Sequence, residues 1–248
     1  MGAIFAAFAV NVLANVKPLD GLTIGQISNT MFGDVLITPA NYAFAIWGLI
    51  YLGLLALGIY QGLPFQRHNP SLRQMGYLLV LASASQIAWV VLFQYQQFTL
   101  SLVAMLAILL PLIGIYLRLR IGTRWVSPRE KWFIHIPVSI YLAWISVATI
   151  VNVALTLDHL NWSGWGISPE GWTAIALIVG AAITATVTLQ RADMAYTFVI
   201  VWAFVAIALR QSDKPIIVVT AVGLVFVLVV LLFWSVLRPP KHSFSSYE

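Results

Sequence analysis

The chain has 248 residues, of which 61% are apolar and only 8% are charged. A soluble domain keeps about a quarter of its residues charged, so this composition excludes a soluble globular domain and indicates a protein that lies in a lipid bilayer. The absence of cysteine excludes disulfides, thiolate metal sites and cysteine nucleophiles.

Eight apolar segments are candidates for membrane-spanning helices. About 20 apolar residues are needed, because a helix rises about 1.5 Å per residue across a hydrocarbon layer of about 30 Å. The first and seventh segments are short, and the first has no Lys or Arg before its apolar stretch, which argues against a signal peptide. We predict an all-α, polytopic transmembrane bundle with about eight spans, at residues 3–16, 41–61, 75–93, 100–119, 132–157, 172–190, 194–209 and 215–237.

The basic residues of the loops are distributed unevenly between the two sides of this bundle. With the N-terminus inside, ten of the 13 Lys and Arg fall in inner segments, and only Lys17, Arg210 and Lys214 fall outside. Short loops rich in Lys and Arg stay in the cytoplasm, so we expect both termini to be cytoplasmic, in a plasma or inner-type membrane. The net charge of +5 fits this orientation, and nucleic acid is not an expected partner.

Two loops and the C-terminal tail carry further signals. The longest loop, residues 17–40, is rich in Gly, Pro, Asn, Asp and Ser; it is predicted to be non-helical, and loops of this length are often functional. At the tight inner turn after the sixth span, Arg191 and Asp193 are predicted to be orientation and capping charges. Residues 239–248 form a polar tail that is predicted to be disordered.

The predicted spans carry essentially no ionisable residue near their centres. Charged groups inside a bilayer usually mark ion or proton pathways, and hydrolytic sites need a positioned acid, base or metal. The sequence therefore argues against a proton pump, a voltage sensor and a membrane hydrolase, and predicts no catalytic residue, no metal ligand and no required cofactor. The neutral polar residues in the spans either form interhelical hydrogen bonds or contact a ligand: Ser83, Ser85, Gln86, Ser139, Ser146, Thr149 and Asn152.

Three spans carry aromatic side chains at helical spacing. Each stripe places bulky rings and an amide or hydroxyl group on one helix face, which is compatible with ordinary core packing and equally with a flat apolar pocket that has a few polar contacts. The second span contributes Trp47 and Tyr51, the third contributes Gln86, Trp89 and Phe93, and the fifth contributes Tyr141, Trp144, Ala148 and Asn152.

The same three stripes resemble the motifs of the tryptophan-rich sensory protein family, also called the translocator protein or peripheral-type benzodiazepine receptor family. Residues 46–51, IWGLIY, resemble the family's V-W-x-x-L-Y, and residues 86–93, QIAWVVLF, resemble N-x-x-W-x-x-x-F with Gln in place of Asn. Residues 144–152, WISVATIVN, resemble W-x-S-F-A-T-x-L-N, which is the most specific match. The chain departs from the family before the second-span Trp, where it has Phe44 in place of a Pro.

The resemblance covers about the first five spans. It implies a five-helix bundle over residues 1–160, with the loop 17–40 as the lid of a pocket, followed by three additional helices over residues 161–238. It also implies a flat hydrophobic ligand, either a tetrapyrrole such as a porphyrin or a sterol-like molecule. Together with the polar residues of the stripes, the expected ligand-binding residues are Trp47, Tyr51, Gln86, Trp89, Phe93, Tyr141, Trp144, Ala148, Thr149 and Asn152.

Three functions remain open at this stage. The first is binding or sensing of a flat hydrophobic ligand, and the second is transport of a neutral or amphipathic solute. The third is an accessory or structural subunit of a larger membrane complex. This hypothesis is based on the additional helices and their small-residue faces (Ala176, Gly180, Ala181 and Ala185), and the same faces suit a homodimer. An enzyme is the least supported class, although the resemblance leaves light-dependent porphyrin degradation as a weak possibility.

Overall fold

The computed structural model describes residues 2–19 and 21–237, and in this part of the chain the secondary structure is entirely helical. This confirms the predicted all-α fold. The α-helices of six or more residues are α1 (Gly2–Val16), α2 (Ile24–Thr30), α3 (Ile46–Gly62), α4 (Pro70–Met75), α5 (Leu78–Gln94), α6 (Phe98–Arg118), α7 (Ile136–His159), α8 (Pro169–Arg191), α9 (Met194–Arg210) and α10 (Pro215–Leu237).

A long apolar helix occupies each of the eight predicted spans. Five of them, built around α3, α6, α7, α8 and α10, are long and apolar enough to cross a membrane. The others, α1, α5 and α9, are shorter apolar helices; α5 and α9 have 17 residues each, which gives a length of about 26 Å. The chain is therefore a polytopic helical bundle, and spanning by the three shorter helices stays a prediction.

The eight long helices form two units. Five of them close a ring in which α1 packs against α3 and α5, α5 against α6, α6 against α7, and α7 against α3. The remaining helices α8, α9 and α10 pack against one another, and α9 docks on the outside of α7. Small residues permit close approach within this arrangement, since a Cβ at Gly53 of α3 would lie 3.2 Å from Pro137, and one at Gly180 of α8 would lie 3.4 Å from Phe204.

Contacts between loops and helix ends show which loops lie at the same end of the bundle. At one end, which we call the basic end, Arg118 donates to the carbonyl of Gln74, and Arg191 donates to that of Ile121. At the other, which has few Lys and Arg residues and which we call the charge-poor end, the loop after α1 meets the end of α9, and Gln94 of α5 donates to the carbonyl of Ala14. The alternation of helices between the two ends follows the predicted topology, and the end that faces the cytoplasm stays a prediction.

The two units are joined near the basic end by a buried carboxylate. Asp193 caps α9 by accepting the backbone N–H of Tyr196, as predicted, but its other oxygen accepts hydroxyl protons from Tyr116 at 2.8 Å and Ser139 at 2.6 Å. One side chain therefore ties the three-helix unit to α6 and to the start of α7. The guanidinium of Arg191 lies 5.1 Å from the Tyr116 ring centroid, a favourable cation–π distance.

The loop 17–40 was expected to be non-helical, and that prediction is wrong for Ile24–Thr30. Thr23 accepts the backbone N–H of Gln26, and the Gln26 side chain accepts the backbone N–H of Thr23. This reciprocal capping box starts a helix even where the composition indicates a loop. The predicted tail, residues 239–248, lies outside the described residues.

Candidate ligand-binding cavity

An apolar cavity lies inside the five-helix ring, near its charge-poor end. Its free volume is about 50 Å³, enough for only a few water molecules. Helices α3, α5 and α7 form its walls, and α2 with the segment that follows it forms its roof. The lining residues are Ile24, Ser28, Pro39, Phe44, Trp47, Trp89, Phe93, Trp144, Val147, Ala148, Val151, Asn152 and Leu155.

Helical spacing explains how the walls are built. On α7, Trp144 is followed by lining residues three, four, seven, eight and eleven positions later, so one continuous face of the helix meets the cavity. On α5, Trp89 and Phe93 are one turn apart and their ring centroids are 5.2 Å apart. On the third side, Phe44 meets Trp144 edge-on with a centroid distance of 6.0 Å.

The one amide in the walls is held by hydrogen bonds on both sides. The indole N–H of Trp89 donates to Asn152 Oδ1 at 2.8 Å, and Asn152 Nδ2 donates to Ser101 Oγ at 3.2 Å. Since an indole N–H can only donate, it fixes the orientation of the amide. Asn152 is only 2% exposed, so this network connects α5, α6 and α7 in a dry interior and holds the Trp89 ring in the wall.

A second layer of polar aromatic residues stands behind Trp47. The Trp47 ring stacks on Tyr51 at a centroid distance of 5.6 Å and meets Tyr141 edge-on at 6.3 Å. The Tyr141 hydroxyl donates to Gln86 Oε1 at 3.3 Å, and all three side chains behind Trp47 are at least 95% buried. This layer packs behind Trp47 and holds its ring in the cavity wall.

The ten predicted ligand-binding residues therefore do not all lie at the cavity. Six line the cavity: Trp47, Trp89, Phe93, Trp144, Ala148 and Asn152. Tyr51, Gln86 and Tyr141 lie in the second layer, and the Thr149 hydroxyl donates back to the Ile145 carbonyl of its own helix at 2.7 Å. The structure thus brings most of the predicted set to one cavity, and binding of a ligand by any of the ten stays a prediction.

Sequence reasoning missed two groups of lining residues. Val147, Val151 and Leu155 continue the face of Trp144 and could have been found by extending that stripe by the helical period. The roof residues Ile24, Ser28 and Pro39 lie in the loop 17–40, where no periodic signal marks them, and Phe44 lies in the 3₁₀ turn Asn41–Ala45 that leads into α3.

A second, more polar cavity of about 420 Å³ adjoins the first at the charge-poor end. We call it the vestibule. It shares Ile24, Phe44 and Trp47 with the apolar cavity, so these three side chains separate the two spaces. Its remaining lining is neutral and mostly polar: Asn11, Thr23, Gly25, Gln26, Asn29 and Asn41.

The roof is attached to α9. Arg210 at the end of α9 donates to Asn29 Oδ1 at 2.6 Å and to the Pro39 carbonyl at 3.3 Å. Next to it, Gln211 Nε2 donates to the Leu36 carbonyl at 3.0 Å, and the Trp202 indole donates to the Ala43 carbonyl at 3.3 Å. The three-helix unit therefore has a role within the chain, because it holds the segment that covers the cavity.

The chemistry available in the two cavities is that of binding. Among the described residues, none that lines either cavity is ionisable, and no three His, Asp or Glu side chains are grouped so that they could hold a metal ion. Rings, aliphatic groups and amides provide apolar contact and hydrogen bonds, which suits a flat apolar molecule with a few polar atoms.

The fold and the cavity together define a class: a polytopic helical membrane protein with an aromatic cavity between the helices of its bundle. A family model described as TSPO-like protein matches residues 1–234, and the chain belongs to this family. The match confirms the resemblance to the translocator protein family and extends it from the first five spans across the last three. The comparisons with curated proteins and with solved structures gave no match. The chain is an integral membrane protein.

Proposed function

We propose that this protein binds a flat, largely apolar ligand, a tetrapyrrole such as a porphyrin or a sterol-like molecule, in the aromatic cavity. The observation that carries the proposal is the convergence of Trp47, Trp89 and Trp144, from three different helices, on one cavity. Aromatic faces bind flat π-systems and fused rings by stacking and apolar contact. Membership of the TSPO-like family supports the same ligand class.

Binding requires the cavity to enlarge. A typical small-molecule site occupies about 300–1,000 Å³, whereas the apolar cavity has about 50 Å³. The vestibule of about 420 Å³ is separated from it only by Ile24, Phe44 and Trp47, and rotation of these side chains would join the two spaces. We therefore propose that α2 and Phe44 move when a ligand enters, while the walls on α5 and α7 stay in place.

The test is a titration of the purified protein with protoporphyrin IX, followed by quenching of tryptophan fluorescence. We expect saturable quenching, and a weaker affinity in Trp144→Phe and Trp89→Phe, because each change removes part of the aromatic wall. The matched control is Trp165→Phe, since Trp165 lies outside the cavity with 78% of its surface exposed.

The control separates binding in the cavity from partition of porphyrin into the detergent. Equal affinity in all three variants and the wild type would contradict the proposal, as would an absence of quenching. Competition by a sterol against bound porphyrin would assign the cavity to the wider class of flat apolar molecules, and resistance to it would restrict the class to tetrapyrroles.

A further inference from the structure

The vestibule contains a chain of hydrogen bonds with a defined direction. Arg210 Nη1 donates to Asn29 Oδ1 at 2.6 Å, and Asn29 Nδ2 donates to Asn41 Oδ1 at 2.8 Å. A guanidinium group has donors only, so it fixes the Asn29 oxygen on its own side and turns the Asn29 NH₂ group toward Asn41. Asn41 must then accept with its oxygen, which leaves its NH₂ group as the end of the chain.

Asn41 is a solvent-exposed residue at the vestibule, and its NH₂ group is the free end of the chain. Asn29 and Asn41 both line this cavity, and Asn41 Nδ2 has no hydrogen-bond acceptor among the residues that the structure describes. Hydrogen bonds in series polarise one another, and the first donor here carries a full positive charge. The N–H at the end of the chain is therefore more electropositive than that of an isolated amide.

The charge of Arg210 is available for this purpose. Its described partners are the neutral oxygens of Asn29 and Pro39, and none of the ion pairs found among the described residues includes it. The nearest basic neighbour in sequence, Lys214, is instead paired with Glu170 at 3.5 Å. A positive charge without a carboxylate partner, connected through two amides to a cavity, favours a negatively charged or strongly accepting group in that cavity.

We propose that the vestibule is a subsite for a carboxylate carried by an amphipathic ligand, with Asn41 as its hydrogen-bond donor and Arg210 as the residue that polarises and positions that donor. The inference rests on the proposed function, because the apolar part of the same molecule occupies the aromatic cavity beyond Phe44 and Trp47. The ligand class is thereby narrowed to flat apolar molecules that carry an acidic group at one edge.

The experiment compares protoporphyrin IX, which has two propionate groups, with its dimethyl ester, which has the same ring and no acidic group. The wild-type protein is expected to bind the diacid about tenfold more tightly than the ester, a preference typical of one hydrogen bond to a charged group. Asn41→Asp keeps the shape and the acceptor for Asn29 but replaces the terminal donor by an anionic oxygen, so the preference should disappear or reverse.

Arg210→Gln removes the charge at the start of the chain and should reduce the preference for the diacid. Lys214→Gln removes one positive charge at the same end of the bundle without touching the chain, and should leave the preference unchanged. If Arg210→Gln does not fold because the roof loosens, the nearly isosteric Asn41→Asp variant still provides the test.

Two outcomes contradict the subsite in different ways. If both porphyrins bind and Asn41→Asp leaves the ratio of their affinities unchanged, the vestibule does not recognise the carboxylate, and the proposed function stands without it. If neither porphyrin binds the wild-type protein, the proposed function is overturned and the subsite with it.

Discussion

The hydrogen bond between Trp89 and Asn152 gives the most direct test of how the cavity wall is held. In Asn152→Leu the side chain keeps a similar volume but loses the acceptor for the Trp89 indole and the donor to Ser101 Oγ. Ser101 Oγ keeps its hydrogen bond to the Phe98 carbonyl at 2.8 Å, but the Trp89 indole is 7% exposed and cannot turn to water. A buried group left without its partner costs about 1–3 kcal/mol.

The expected cost is near the lower part of that range, because hydrogen bonds between membrane helices contribute about 0.6 kcal/mol on average and up to about 1.7 kcal/mol. We expect Asn152→Leu to lower the free energy of unfolding by about 1–2 kcal/mol. For a chain of this size, that corresponds to a fall of about 2–8 °C in Tm. The measurement is thermal unfolding in a mild detergent, followed by near-ultraviolet circular dichroism.

A double-mutant cycle with Trp89→Phe isolates the pair. Trp89→Phe removes the indole N–H that Asn152→Leu leaves without an acceptor. The double variant should therefore be more stable than the sum of the two single changes predicts, with a coupling of about 0.6–1.7 kcal/mol. Thr149→Val is the matched control on the same helix, because its hydroxyl donates only to the Ile145 carbonyl one turn earlier; we expect less than about 0.5 kcal/mol. Additivity of Trp89→Phe and Asn152→Leu would refute the reasoning.

Three further predictions concern the attachments between units. Gly122 has a φ of +78°, and a Cβ there would lie 2.0 Å from the Arg191 carbonyl oxygen, so Gly122→Ala should lower the free energy of unfolding by about 2–5 kcal/mol. The control Gly223→Ala, in open space on α10, should be neutral or stabilise by up to about 1 kcal/mol. A similar Tm for the two variants would contradict this prediction. Asp193→Ala removes a helix cap and the acceptor of two buried hydroxyls, and should cost about 2–4 kcal/mol in the same assay; an unchanged Tm would show that the carboxylate does not join the units. Arg210→Leu should accelerate hydrogen exchange in the roof, residues 24–45, with little change in α5 and α6; unchanged exchange there would contradict the attachment of the roof to α9.

The sequence was sufficient to predict the long helices because their apolar runs have the length that a bilayer requires. It also predicted that Trp47, Trp89 and Trp144 lie on converging faces, because each belongs to a stripe with the helical period. The sequence did not predict which residues of such a face reach the cavity. Tyr51 is one turn from Trp47, yet it lies behind the cavity and not in its wall. Helical spacing defines a face, and only the packing of neighbouring helices decides which part of the face meets a space.

The roof could not be predicted from periodicity, because α2 has only seven residues. The capping-box pattern of Thr23 and Gln26 is present in the sequence, but the Gly and Pro residues of the surrounding loop favoured a non-helical prediction. The attachment to α9 was hidden for a different reason, since Arg210 and Asn29 are 181 residues apart. From the sequence, Arg210 was an outer-loop charge, and nothing local to it indicates a partner near the N-terminus.

That separation has a consequence for how the protein is made. The roof segment leaves the ribosome early, whereas the residues that hold it on α9 follow 159–181 residues later. At about 5–20 residues per second, the delay is roughly 8–36 seconds. The last of the five ring helices ends at His159, so the whole ring is synthesised before the residues that anchor its cover. A nascent chain therefore completes the walls of its aromatic cavity before the cover is anchored, and a ligand of the proposed class that is present during synthesis would not have to displace an anchored roof.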